Sequence, residues 1–177
     1  MTEILVRDHA EVDALFGELS PAFARGGARE VFEKLDRLWA RLAVHIRAEH
    51  LHLFPGLLAA SAGRRGEDGG DAPSHEEVRA VVGRLREDHD FFMRELAAAV
   101  NDSRELASQP GADDRERLLQ VERRVRAVAG RLAEHNRAEE EQVYRWPEAL
   151  LSGGGLEQLR AGMRREIENL PPRFSEG

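Results

Sequence analysis

Apolar residues recur along this chain at spacings of three, four and seven, the period of an amphipathic α-helix. Leu5, Val12, Phe16, Leu19 and Phe23 form one stripe and predict a first helix over about residues 3–24, which Gly26-Gly27 stops. Phe32, Leu35, Leu38, Trp39, Leu42 and Ile46 predict a second, ending or kinking near Phe54-Pro55-Gly56. Residues 61–73 are Gly-rich and charged without periodicity, which reads as a mobile surface loop. Ser74 with Glu77 forms a capping-box pattern and opens a third helix carrying Val78, Val82, Leu85, Phe92, Leu96 and Ala99. Asp113 with Glu116 can start a fourth, with Leu118, Val121, Val125, Val128 and Leu132 on its stripe; Pro147 is expected to bend or end it. Gly153-Gly154-Gly155 precedes a short fifth helix with Leu156, Leu159, Met163, Ile167 and Leu170. No run alternates as a strand would. The pattern predicts an all-α fold: an antiparallel up-down four-helix bundle over 1–151, with 152–177 as a short helix and tail packed on it.

The chain also repeats itself. His45-Ile46-Arg47-Ala48-Glu49 returns as His135-Asn136-Arg137-Ala138-Glu139, each followed by an aromatic-Pro pair, Phe54-Pro55 and Trp146-Pro147. Arg7-Asp8-His9 resembles Glu87-Asp88-His89. A duplicated helical hairpin implies a bundle with a pseudo-two-fold axis.

The His residues fall on the apolar stripes. His9, His45, His89 and His135 each continue the stripe of one predicted helix, so all four are expected to face the bundle axis. Glu49 and Glu139 follow His45 and His135 by one turn on the same face. One His on an apolar stripe is ordinarily a satisfied core residue. Two carboxylates and four imidazoles converging there are different, because each buried carboxylate costs several kcal/mol unless something neutralises it. Cations do so. Six N/O donors exceed one four-coordinate zinc and suit two ions bridged by the carboxylates, with two His to each ion. Imidazole and carboxylate without sulfur favour Fe, with Mn or Zn as lesser options.

The one-His-per-helix pattern with two His-x-x-x-Glu motifs resembles the hemerythrin-like (HHE cation-binding) family of non-haem di-iron four-helix bundles. The resemblance spans about residues 1–150. It implies an oxo- or hydroxo-bridged pair of Fe ions held by His9, His45, Glu49, His89, His135 and Glu139, and a small ligand such as O2, NO or peroxide. Oxygen carriers of that family place a further His one turn before the third-helix His; here that position is Leu85. They also use an Asp five residues after the fourth-helix His, where this chain has Glu140. The four-His, two-Glu set implies reaction with oxygen, peroxide or nitric oxide in a binding, sensing or stress-response role rather than plain oxygen carriage. The alternative is a di-iron oxidative enzyme acting on a small organic substrate. Glu49-x-x-His52 fits the ferritin-like motif, but its repeat mate ends in Gln142.

Other charged residues carry weaker expectations. His50 is expected to face away from the core, His75 to lie exposed in a cap, and Asp8 and Asp88 to point sideways into solvent. Glu140 and Glu141 read first as surface charge, and Glu140, His52 and Tyr144 remain open as members of the site. Composition narrows the class further. The chain of 177 residues has no Cys, which removes disulfides and thiolate metal sites. Its net charge of −7 argues against nucleic acid and anionic membranes. No stretch is long and apolar enough to span a bilayer, and no signal-peptide pattern opens the chain, so a cytoplasmic monomer or homodimer is expected. The Ser residues lack a Gly-x-Ser-x-Gly elbow, and the triple Gly lacks a phosphate-loop context.

Overall fold

The computed structural model of the chain describes residues 2–64, 72–109, 111 and 114–174. Those residues are almost wholly helical, with no strand among them. Helix α1 spans Thr2–Arg25 and ends at Gly26, whose φ of +72° suits a residue without a Cβ. Helix α2 spans Ala28–Ala48 and passes without a break through a π-helical turn, Glu49–Leu53, into α3, Phe54–Ser61. Of the two alternatives near Pro55, the helix does not end; it continues through an irregular turn just ahead of the proline. Pro55 lies just past the π turn, in the first turn of α3.

The expected surface loop lies largely outside the described residues, as does the Asp113 cap. Ser74 caps α4, His75–Ser108, by accepting from the Glu77 backbone N–H at 3.2 Å. Glu77 does not reach back; its carboxylate accepts from Gln142. Helix α5 spans Asp114–Glu141. It ends before Pro147: a 3-10 turn, Val143–Arg145, intervenes ahead of the short α6, Trp146–Leu150. Helix α7 spans Gly154–Glu168.

The four long helices pack in a ring, α1 on α2, α2 on α4, α4 on α5 and α5 back on α1. Ion pairs within each hairpin run in opposite sense along its two helices. Glu18 meets Lys34 while Asp8 meets Arg41, and Glu105 meets Arg117 while Asp88 meets Arg131. Helix α7 lies along α2 and its π turn. It buries Leu159, Met163 and Ile167 and is tied by Arg41 to the Ile167 carbonyl and by Arg47 to Glu166.

The interior is divided in two. One apolar cluster holds Val12, Leu42, Phe92, Leu132 and their neighbours. The other holds Leu5, Phe54, Leu85, Val143, Tyr144 and Met163. On α1, His9 stands between Leu5 of one cluster and Val12 of the other. His89 likewise stands between Leu85 and Phe92. A polar layer thus crosses the core where the four helices face one another, walled by hydrocarbon on both sides.

Candidate metal centre

All six residues singled out by their spacing lie in this layer. His9, His45, His89 and His135 are at most 4% exposed, and Glu49 and Glu139 are fully buried. Helical geometry aims each imidazole Nε2 inward, and the carboxylates link the two hairpins. Glu49 Oε1 lies 3.5 Å from His45 Nε2, and its Oε2 lies 3.4 Å from His89 Nε2. Glu139 repeats this, with Oε1 3.3 Å from His135 Nε2 and Oε2 3.4 Å from His9 Nε2. The centre therefore has two halves. His9 and His45 face one, with ring centroids 4.9 Å apart; His89 and His135 face the other, with Nε2 atoms 3.0 Å apart. Each carboxylate gives one oxygen to each half.

The outer nitrogens of these rings are also held. His45 Nδ1 meets Asp8 Oδ2 at 2.7 Å, and His135 Nδ1 meets Asp88 Oδ2 at 3.1 Å. These two Asp residues were expected in solvent. Pointing sideways from one helix means pointing into the seam with its hairpin partner, so Asp8 is 1% exposed and ion-paired with Arg41. Asp88 is paired with Arg131 in the same way. A carboxylate behind an imidazole fixes its tautomer and raises its basicity as a ligand.

Local departures from the α-helix bring in three more residues. In the π turn, residue i+5 rather than i+4 stacks over residue i. His50 is thereby turned toward the core instead of away from it, half-buried, with Nε2 3.0 Å from His89 Nδ1. Glu140, read as surface charge, meets His9 Nδ1 at 2.8 Å. The 3-10 turn after α5 swings Tyr144 inward, fully buried. Its hydroxyl lies 2.9 Å from His9 Nε2 and 3.0 Å from both Glu49 Oε1 and Glu139 Oε2. His52 is not brought to the centre; its ring packs against Gly162 of α7. His75 is half-buried rather than exposed, with Nδ1 3.0 Å from Ser61 Oγ.

The electrostatics are those of an anionic pair enclosed in hydrocarbon. Burial, aided by the Glu139 charge, pushes the Glu49 carboxyl above its ordinary range. Burial acts on Glu139 in the same sense, but its contacts with His135 and His9 outweigh that and hold it well below. Burial drives His89 well below the usual imidazole range. It also opposes charge on His45 and His135, yet Glu49 and Glu139 raise these two. Burial, then the charges of Glu139 and Glu49, push the Tyr144 phenol well above its ordinary value. Even so, Glu49 Oε2 and Glu139 Oε1 have no hydrogen-bond partner among the described residues. Buried carboxylate oxygens without donors are costly, and both face the same cluster of imidazole nitrogens. Glu49, His89, His135 and Glu139 could hold one cation, and His9, His45 and Glu139 another. The donor set and the orphaned oxygens both fit metal.

The family model of the hemerythrin HHE cation-binding domain matches residues 1–147. The chain belongs to the hemerythrin HHE family. No curated protein and no solved structure matches it significantly. In this HHE domain the matched segment takes in all six converging residues and Tyr144, and leaves α7 outside. No helix among the described residues is long and apolar enough to cross a membrane. The sequence places His50 outside the core and leaves Glu140 and Tyr144 open; the duplication is the signal that links all three. Residues 50 and 140 follow the two Glu positions directly, and residues 54 and 144 each lie five beyond them.

Proposed function

We propose that the chain is a hemerythrin-like non-haem di-iron protein that binds and reacts with dioxygen, peroxide or nitric oxide in a binding, sensing or stress-response role. Residues 1–151 make up an up-down antiparallel bundle, and 152–177 are the C-terminal segment whose helix α7 packs on its flank. His9 and His45 would hold one iron and His89 and His135 the other, with Glu49 and Glu139 shared between the two sites; Mn or Zn are lesser options. The observation that carries this reading is the pair of buried carboxylates whose oxygens are split between two imidazole pairs, two of those oxygens lacking any hydrogen bond.

Bound iron supplies one-electron redox chemistry and positions for a small exogenous ligand. The chain's own groups supply the setting. Asp8 and Asp88 hold the His45 and His135 rings in the tautomer that leaves Nε2 free to ligate. The flanking apolar clusters exclude bulk water, and the near-complete burial of all six side chains favours small molecules over large substrates. The test is anaerobic Fe(II) loading followed by dioxygen, nitric oxide and peroxide in separate samples, watched optically. New absorption bands in the iron-loaded protein, absent without iron, are expected. An iron-loaded protein inert to all three would overturn the reading.

A further inference from the structure

The two halves of the centre are copies that have diverged at two positions. Behind His9 stands Glu140, whereas behind His89 the duplicate position is His50. Beside His9 stands Tyr144, whereas beside His89 the duplicate is Phe54, stacked on the imidazole with centroids 5.8 Å apart and planes 15° apart. Both differences make the His9–His45 half richer in oxygen donors.

The Tyr144 hydroxyl is not merely near that half. Its three neighbours at 2.9–3.0 Å, His9 Nε2, Glu49 Oε1 and Glu139 Oε2, are donors directed at that half. Adjacent donors around a six-coordinate ion with bonds of about 2.1 Å stand about 3.0 Å apart. The hydroxyl is therefore at the spacing of one more donor in the set. The two oxygens without hydrogen bonds, Glu49 Oε2 and Glu139 Oε1, belong to the opposite half. There Phe54 offers no donor atom, and Leu85, one turn before His89, is buried in the same apolar cluster.

We propose that Tyr144 is a ligand of the metal in the His9–His45 half, and that the exogenous small molecule is taken by the metal in the His89–His135 half. This rests on the di-iron reading above. On metal binding the phenol O–H bond breaks, the oxygen keeps the electron pair as a donor, and the proton leaves to solvent. Phenolate oxygen is an established donor to ferric iron. Glu140 works in the same direction: a carboxylate behind His9 strengthens that imidazole as a ligand to the more highly charged ion, which His50 cannot do for His89.

Tyr144 is the only Tyr in the chain, so its signature is unambiguous. The full chain is loaded anaerobically with Fe(II), oxidised with one equivalent of ferricyanide per iron, and its iron content is measured. The oxidised wild type should show a visible phenolate-to-ferric charge-transfer band that is lost completely in Tyr144→Phe. Azide, as the probe of the exogenous position, should bind without removing that band. Phe54→Tyr supplies a phenol to the other half. It should raise the band about twofold and weaken azide binding, which keeps the test decisive if Tyr144→Phe folds poorly. Two irons per chain with no phenolate band would overturn this proposal alone, leaving Tyr144 as a hydrogen-bond donor to the carboxylates. A band that azide abolishes would overturn the assignment of the open half. Failure to take up iron would overturn both this proposal and the di-iron reading.

Discussion

Asp8 and Asp88 occupy equivalent places in the duplication, yet replacing them should have different consequences for the fold and the same consequence for the metal. Asp8→Ala removes the partner of His45 Nδ1 and also the ion-pair partner of Arg41, which is only 9% exposed. Breaking a buried pair from one side costs about 3–5 kcal/mol, because the remaining charge is left without compensation. Arg41 keeps Glu11 at 2.8 Å and the Ile167 carbonyl at 3.1 Å, which sets the expected cost near the lower limit, about 3 kcal/mol. For a chain of this size that corresponds to a fall in Tm of roughly 6–12 °C. Asp88→Ala frees Arg131, whose side chain is 44% exposed and can turn to water, so the lost ion pair is worth about 0–1 kcal/mol. Each variant loses the carboxylate behind one ligand imidazole, so each should bind iron about 10–100-fold more weakly. Thermal denaturation of the metal-free proteins reads the first effect, and Fe(II) competition against a chelator reads the second. Equal destabilisation by the two variants would refute the burial argument for Arg41. Unchanged iron affinity in both would refute the role given to the carboxylates.

Three further outcomes are expected. In the metal-free protein burial and the Glu139 charge raise the Glu49 carboxyl above its ordinary value of 4.5, so its contribution to stability is complete below that value and is lost as pH rises through the raised folded value. Glu49→Gln should therefore raise the metal-free Tm more at about pH 7.5 than at about pH 5, and a gain independent of pH would contradict the assignment. Leu85→His puts an imidazole one turn before His89 at a position only 1% exposed; unligated it should cost about 1–3 kcal/mol. In the iron-loaded protein it should alter the Mössbauer spectrum of one iron, and a merely destabilised variant with the wild-type spectrum would show that this face of α4 does not address the metals. Gly162→Ala places a Cβ 2.6 Å from His52 Nδ1, so the His52 ring or α7 must move; Tm should fall while iron content stays at the wild-type level.

The convergence of the six residues was legible because on a regular helix the stripe fixes which way each His and each following Glu points, and the duplication says it twice. The helical stripes were legible for the same reason. What the stripes misplace or leave open is what a regular helix does not encode. His50 was assigned to the outside because on an α-helix it turns away from the His45 face, and only the π turn brings it back. Tyr144 depends on α5 ending at Glu141, where Gln142 takes φ −122° and ψ −64° and the chain tightens into a 3-10 turn. Asp8 and Asp88 were missed for another reason. Sideways from one helix is solvent until its partner is in place, and the partner is a property of the hairpin. Setting His50 against Glu140 and Phe54 against Tyr144 marks the two positions at which the halves of the centre differ.

The central claim is that six side chains from four helices form one centre for two metal ions. Anaerobic titration of the full chain with Fe(II), with bound metal measured by elemental analysis after removal of excess, tests it most directly. Uptake should end at about two irons per chain, and His45→Ala and Glu49→Ala should each lose most of it, since one removes a ligand and the other a bridge. No uptake by the wild type, or full uptake by both variants, would contradict it.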